Sequence, residues 1–201
     1  MRGAKVFAPF LYAVDASDAM RAVVLGELSS PARHWHGLVH HALMLRAIAK
    51  ADVTGAERRR LIQAVLFHDI VYDPRRSDNE EASAAVAERW MPRGDRAAVV
   101  ALILATKYHR LDTDPVTRAL LEADLGVLWT PSERLYVFYA DGIRAEYAHV
   151  PDAAYRAGRS AVMTRLRDAV TPMLEDGRAA RMRANIDREL RTLAAEPAEG
   201  E

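Results

Sequence analysis

The stretch of this 201-residue chain best suited to chemistry is Ala64-Val65-Leu66-Phe67-His68-Asp69-Ile70-Val71-Tyr72-Asp73-Pro74. An apolar run that should be buried ends in an adjacent imidazole and carboxylate, and a breaker follows at once. Burying such a pair without partners is costly, so His68 and Asp69 must bind something, and a metal ion is the expectation. Four of the seven histidines crowd into Arg33-His34-Trp35-His36-Gly37-Leu38-Val39-His40-His41. On a helix, His36 and His40 are four apart and share a face, whereas His34 and His41 project elsewhere and read as surface or packing residues. His109 closes a predicted helix, and His149 falls in a turn before Pro151. Asp124 is an isolated acid whose neighbours three and four away are Leu120, Leu121, Val127 and Leu128. An acid on the core side of a helix is paired, protonated or bound to a metal. Glu122 points the opposite way, as a solvated charge.

The elements that must carry these residues read as helices throughout. Asp15 or Ser17 can cap a helix through Met20, Val24 and Leu28, and Ser29-Ser30-Pro31 ends it. A helical pattern resumes from Arg33 to Lys50. Thr54-x-x-Glu57 is a capping-box signature before Leu61, Ile62, Val65 and Leu66, and Ser77-x-x-Glu80 is a second before an alanine-rich helix to Trp90. Asp95 can cap the next helix, Asp114-Pro115 the one that carries Asp124, and Thr130-Pro131-Ser132 opens another. A long segment follows Pro151, and Gly177 separates it from an Arg-rich final helix. No alternation long enough for a strand appears, so the fold class is all-α. One domain is expected over 1–201, with a packed N-terminal arm over 1–13 and a solvated, disordered tail from 195.

Bulk properties narrow the partners. The chain is 50% hydrophobic, which argues against global disorder. Lys plus Arg and Asp plus Glu both number 28, so no excess charge points to nucleic acid or an anionic membrane. With no cysteine, disulfides, thiolate nucleophiles and zinc–thiolate sites are excluded, and a metal site falls to His, Asp and Glu. No stretch approaches the roughly 20 apolar residues of a bilayer span, and the opening residues do not read as a cleaved leader. A soluble cytoplasmic protein is the expectation.

His36, His68-Asp69 and Asp124, in that order, resemble the H…HD…D signature of the HD-domain metal-dependent phosphohydrolases. Arg33-His34-Trp35-His36-x3-His40, His68-Asp69-x2-Tyr72-Asp73-Pro74, Asp78-Asn79-Glu80, Ala105-Thr106-Lys107-x-His109, Ala123-Asp124-Leu125 and Ile143-Arg144-x-Glu146-Tyr147 with Val150-Pro151-Asp152 resemble a bacterial subfamily of HD hydrolases over roughly residues 10–190. The departures are Trp35 in place of Tyr and Gly37 in place of a polar side chain. The resemblance implies an HD-type helical bundle with additional C-terminal helices and a metal site of His36, His68, Asp69 and Asp124. His40 then lies one turn deeper, as a supporting residue or a substrate contact.

Mixed imidazole and carboxylate ligands suit one divalent transition metal, Mn, Fe, Co, Ni or Zn, with Mg allowed. Such a metal acidifies water and polarises a phosphoryl oxygen. The implied reaction is hydrolysis of a nucleotide or another small phosphorylated metabolite, with Asp69 or Glu80 orienting the water. Glu80 serves equally well as a capping-box residue. Lys107 and His109 can steady phosphoryl charge or protonate a leaving group, or simply favour the helix dipole. Arg33 and Arg144 are candidate phosphate clamps, and Tyr72 can close the pocket. Tyr136, Tyr139, Tyr147 and Tyr155 read as packing residues. A homodimer is compatible with these features. The same residues also permit a metal-containing nucleotide-binding module with little turnover, or an iron oxygenase of HD type, which needs more ligands.

Overall fold

The computed structural model describes residues 2–111 and 113–195. The described residues are all-α, with ten helices, two short 3-10 turns and no strand. From residue 196 onward, the expected C-terminal tail lies outside the described residues. The chain packs as two compact units, Met1–Asp124 and Leu125–Glu201. No Gly- or Pro-rich linker marks that boundary, since the helix ending at Asp124 is followed directly by a 3-10 turn at Leu125.

In the first unit α1 spans Arg2–Ala13, α2 Asp18–Leu28, α3 Leu38–Ile48, α4 Gly55–Phe67, α5 Asn79–Trp90, α6 Arg93–Ala105 and α7 Pro115–Asp124. Helix α4 is its centre. Thr54 opens it with both halves of the capping box: Thr54 Oγ1 accepts from the Glu57 amide at 3.3 Å and Glu57 Oε2 accepts from the Thr54 amide at 2.7 Å. Beyond the first turns the helix is enclosed, and every residue from Leu61 to Phe67 is buried. A helix without a polar face in its second half belongs inside a bundle. Accordingly, α4 packs against α3, α5, α6 and α7. It stops at Phe67, and His68 is its C-cap, donating its amide to the Ala64 carbonyl at 2.8 Å.

Several helix starts differ from the sequence expectation. Helix α3 begins only at Leu38, with Gly37 as N-cap, so residues 33–37 are not helical. A Cβ at Gly37 would stand 2.9 Å from the Leu28 carbonyl oxygen at the end of α2, and this close approach admits only glycine. The second capping box does not form: Asp78 is the N-cap of α5 without a side-chain bond, and its carboxylate pairs with Arg76. Asp95 does not cap α6, whose N-cap is Pro92; it takes the Arg60 guanidinium at 2.8 Å instead. Other caps are as expected. Ser17 Oγ accepts from the Met20 amide, and Asp114 Oδ1 accepts from the Val116 and Thr117 amides. The N-terminal arm is helical straight through Pro9, because Phe7 and Leu11 are buried in the core.

The second unit holds 3-10 turns at Leu125–Trp129 and Thr171–Met173, with α8 at Glu133–Glu146, α9 at Asp152–Val170 and α10 at Asp176–Ala194. Ser132 caps α8 by accepting from the Leu135 amide at 3.2 Å. Its centre is a buried ionic network. Glu189 Oε1 accepts from Arg159 Nε at 2.7 Å, and Glu189 Oε2 from the Tyr136 hydroxyl at 2.7 Å. The same guanidinium lies 4.9 Å over the Tyr139 ring. Tyr136, Tyr139 and Tyr155 are thus packing residues, as expected.

Because Phe67 is fully buried beside the His68 cap, Phe67→Ala should cost about 3–5 kcal/mol. A urea titration of unfolding, followed by circular dichroism, should show the midpoint falling accordingly.

Candidate metal centre

Four donor atoms converge where α3, the end of α4 and the end of α7 meet. His40 Nε2 lies 3.3 Å from His68 Nε2 and 3.2 Å from Asp124 Oδ1. His68 Nε2 lies 3.0 Å from Asp69 Oδ2 and 3.8 Å from Asp124 Oδ1, and His40 Nε2 is 3.9 Å from Asp69 Oδ2. His40 and His68 are buried, while the Asp69 and Asp124 side chains keep 15% and 12% of their surface. His68 Nδ1 sits 3.0 Å from the Val65 carbonyl, the acceptor one turn back on α4. That bond puts the ring's proton on Nδ1 and turns Nε2 toward the cluster, the arrangement that orients metal-ligating histidines.

The donor chemistry fits a divalent cation. Two carboxylates and two neutral imidazoles at these separations carry a net negative charge that a cation would balance. In the metal-free protein a proton does that work. Burial opposes charge on His68, but Asp69 and Asp124 outweigh it and raise the imidazole to about 9. Burial also opposes charge on Asp69 and Asp124, yet His68 holds Asp69 below the usual carboxylate range, and His109 and His40 do the same for Asp124. Burial lowers His40, with Asp124 acting against it. His40, His68 and Asp124 form one group able to hold a metal ion, and His41, His68 and Asp69 form another, the donor atoms of each lying within 4.8 Å of one another.

The structure redistributes the remaining sequence-based assignments. His36 is absent from both groups. It occupies the turn before α3, stacks on Tyr72 with ring centroids 4.2 Å apart, and lies 5.8 Å from the His40 ring. The shared-face expectation fails because it needs both histidines on one helix, and α3 begins two residues after His36. Tyr72 therefore sits beside the centre through His36. Arg33 is turned to backbone carbonyls: it donates from Nη1 to His36 O and Asp69 O, and from Nη2 to Ile70 O at 2.9 Å. It thus latches the 33–36 turn to the residues after His68.

Lys107 is likewise engaged, with the Glu81 carboxylate and the Ser77 carbonyl. Glu80 is half-buried in the first turn of α5, and no contact places it on the four donors. Arg144 belongs to the second unit, donating to Tyr147 O at 2.9 Å, pairing with Asp152 at 3.4 Å and lying over the Tyr155 ring. His109 does reach the centre. Its Nε2 is 3.1 Å from Asp124 Oδ2, and its backbone takes a left-handed φ of 50°, an uncommon conformation for a residue with a Cβ.

Two residues that sequence reasoning left without a role position the loop after His68-Asp69. Ser83 Oγ accepts from the Val71 amide and donates to the Val71 carbonyl, both at 3.1 Å. The Asn79 side chain brackets Asp73 in the same way, at 3.1 and 2.9 Å. Ser83 is fully buried among the alanines of α5, so a lone hydroxyl on an apolar face was the available signal.

Comparison with protein families, curated proteins and solved structures returns no match. The centre is accordingly known from its own geometry.

His40→Ala, His68→Ala, Asp69→Ala and Asp124→Ala should each lose most of the bound metal, while His36→Ala should retain it; elemental analysis of the dialysed proteins decides. Because the His68 pKa is raised, metal uptake below about pH 9 must expel a proton from Nε2. Apparent metal affinity should therefore rise about tenfold per pH unit toward pH 9 and level off above it, as chelator competition at several pH values would show. In the metal-free protein the His68–Asp69 contact should stabilise most fully between the ordinary carboxylate and imidazole ranges. That contribution fades as pH rises through about 9, where His68 loses its charge, and as pH falls through the depressed Asp69 value.

Proposed function

We propose that this chain is a divalent-metal-dependent phosphohydrolase of the HD type, acting on a nucleotide or another small phosphorylated metabolite. The observation that carries this reading is the convergence of His40 from α3, His68 and Asp69 from the turn after α4, and Asp124 from the end of α7 on one partly open point. The order of those residues along the chain is that of the HD signature with His40 as the first histidine, which supports the reaction class by analogy. A divalent cation held by the four would supply Lewis-acid polarisation of a phosphoryl oxygen and an acidified water.

The chain's own residues complete the chemistry. His40 and His68 present Nε2 atoms, with the His68 tautomer set by Val65. Asp69 and Asp124 supply the negative charge that retains the cation, and both are held below the usual carboxylate range by facing imidazoles, Asp69 by His68 and Asp124 by His109 and His40. His109 is partly exposed and hydrogen-bonded to Asp124, which supports a role for it in handing a proton to a leaving oxygen. The stacked His36–Tyr72 pair lies beside His40 and offers a flat wall to a bound group. Ser83, Asn79 and Arg33 hold the backbone of residues 69–73 so that Asp69 keeps its aim. Glu80 and Lys107 take no part in this scheme.

Phosphate release should be assayed across a panel of nucleotides and sugar phosphates after stripping and reloading with Mn, Co, Ni, Zn or Mg. Metal-dependent release that Asp69→Ala abolishes and His109→Ala lowers by about 10²–10⁴-fold is the expected result. Tight nucleotide binding with no release under any metal would replace this reading with a binding or regulatory module.

A further inference from the structure

His41 lies against the metal centre but outside the set of four donors. It is fully buried. Its Nδ1 sits 2.9 Å from the Gly37 carbonyl, one helical turn back, so Nδ1 carries the proton and Nε2 presents a lone pair. That Nε2 has no hydrogen-bond partner among the described residues. Buried polar atoms nearly always find one, and a leucine or phenylalanine would fill the same space without stranding a nitrogen. The ring is 4.8 Å from that of His68, inclined by 38°, and the donor atoms of His41, His68 and Asp69 lie within 4.8 Å of one another.

We propose that His41 is a further ligand of the metal centre through Nε2, adding a third imidazole to the donor set and selecting a first-row transition ion over Mg²⁺. The inference rests on the metal-centre reading and extends it. His68 has a single nitrogen to offer, because its other one is bonded to Val65. With His68 Nε2 as the atom shared by the His40–His68–Asp124 and His41–His68–Asp69 groups, the two would serve one ion. Mg²⁺ demands oxygen ligands in a strict octahedron, whereas imidazole suits Fe²⁺, Co²⁺, Ni²⁺ and Zn²⁺. A donor set with three histidines among five residues is on the imidazole side of that divide.

The test uses the full chain, stripped of metal and titrated with Co²⁺ and Zn²⁺, beside His41→Phe and His41→Gln. The glutamine can still donate to the Gly37 carbonyl, which separates loss of a ligand from loss of a local hydrogen bond. Wild-type protein should bind one ion per chain. Each variant should bind Co²⁺ and Zn²⁺ about 10–100-fold more weakly, with altered visible bands in the cobalt form, while Mg²⁺ should fail to compete at equal concentration. Undiminished affinity and unchanged cobalt bands in both variants would overturn the assignment of His41. A wild-type protein that binds no ion would overturn the metal centre itself, which is a different result. If the variants do not fold, histidine ¹⁵N spectra of wild-type protein decide. On adding Zn²⁺, three imidazole nitrogens, including that of His41, should leave the range of a bare lone pair, and a count of two sinks the proposal.

Discussion

The first unit depends on one electrostatic constraint: His40 Nε2 and His68 Nε2 each lie within 4 Å of both the Asp69 and the Asp124 carboxylate in a largely dry place. Such a cluster cannot persist without positive charge, because leaving ionised groups buried and unbalanced costs far more than a fold's net stability can spare. A proton on His68 satisfies that demand in the metal-free protein and a divalent cation can satisfy it better. The cluster is therefore tolerable as a scaffold and competent as a binding site for the same reason.

The neighbouring structure acts on that constraint by limiting movement. Helix α4 is enclosed for its last seven residues, so its end is a fixed platform, and His68 is the first residue beyond it. The chain then has to turn while keeping Asp69 beside His68. Arg33 takes the Asp69 and Ile70 carbonyls, Ser83 takes both polar groups of Val71, and Asn79 takes both of Asp73. Four of the five residues 69–73 are thus held by side chains from elsewhere in the unit. A loop so fully satisfied can hold a carboxylate to a given aim, as a binding centre needs.

What could be read from the sequence followed from how local each cause is. The Thr54–Glu57 capping box, the Asp114 cap and the enclosed run to Phe67 are written within a few neighbouring residues, and they form as expected. His68, Asp69 and Asp124 stood out because each interrupts an apolar pattern. The choice between His36 and His40 was different. It turns on where α3 starts, and that is set by the approach of Gly37 to the Leu28 carbonyl, a tertiary contact with no local mark. Arg33, Lys107 and Arg144 have long side chains whose partners are carbonyls or acids, some of them distant along the chain, so charge alone could not say that they are already engaged. The second capping box failed because its motif competes with the Asn79–Asp73 clasp, which starts α5 one residue past Asp78.

The wide spacing of the donors along the chain has a consequence for how the protein comes into being. His40 and His68 are 28 residues apart, and Asp124 arrives on a third helix after α5 and α6 have been laid down. Bringing such distant residues together requires the loop-closure entropy to be met by helix packing first. On the growing chain the donors arrive at most as adjacent pairs such as His68-Asp69, and two ligands hold an ion weakly. A zinc finger gathers its ligands from one short segment and folds around the ion; here the helices must close before the ion can be held. An ion taken up there would thus enter the finished fold, and a chelator added afterwards should empty the centre without unravelling the bundle around it.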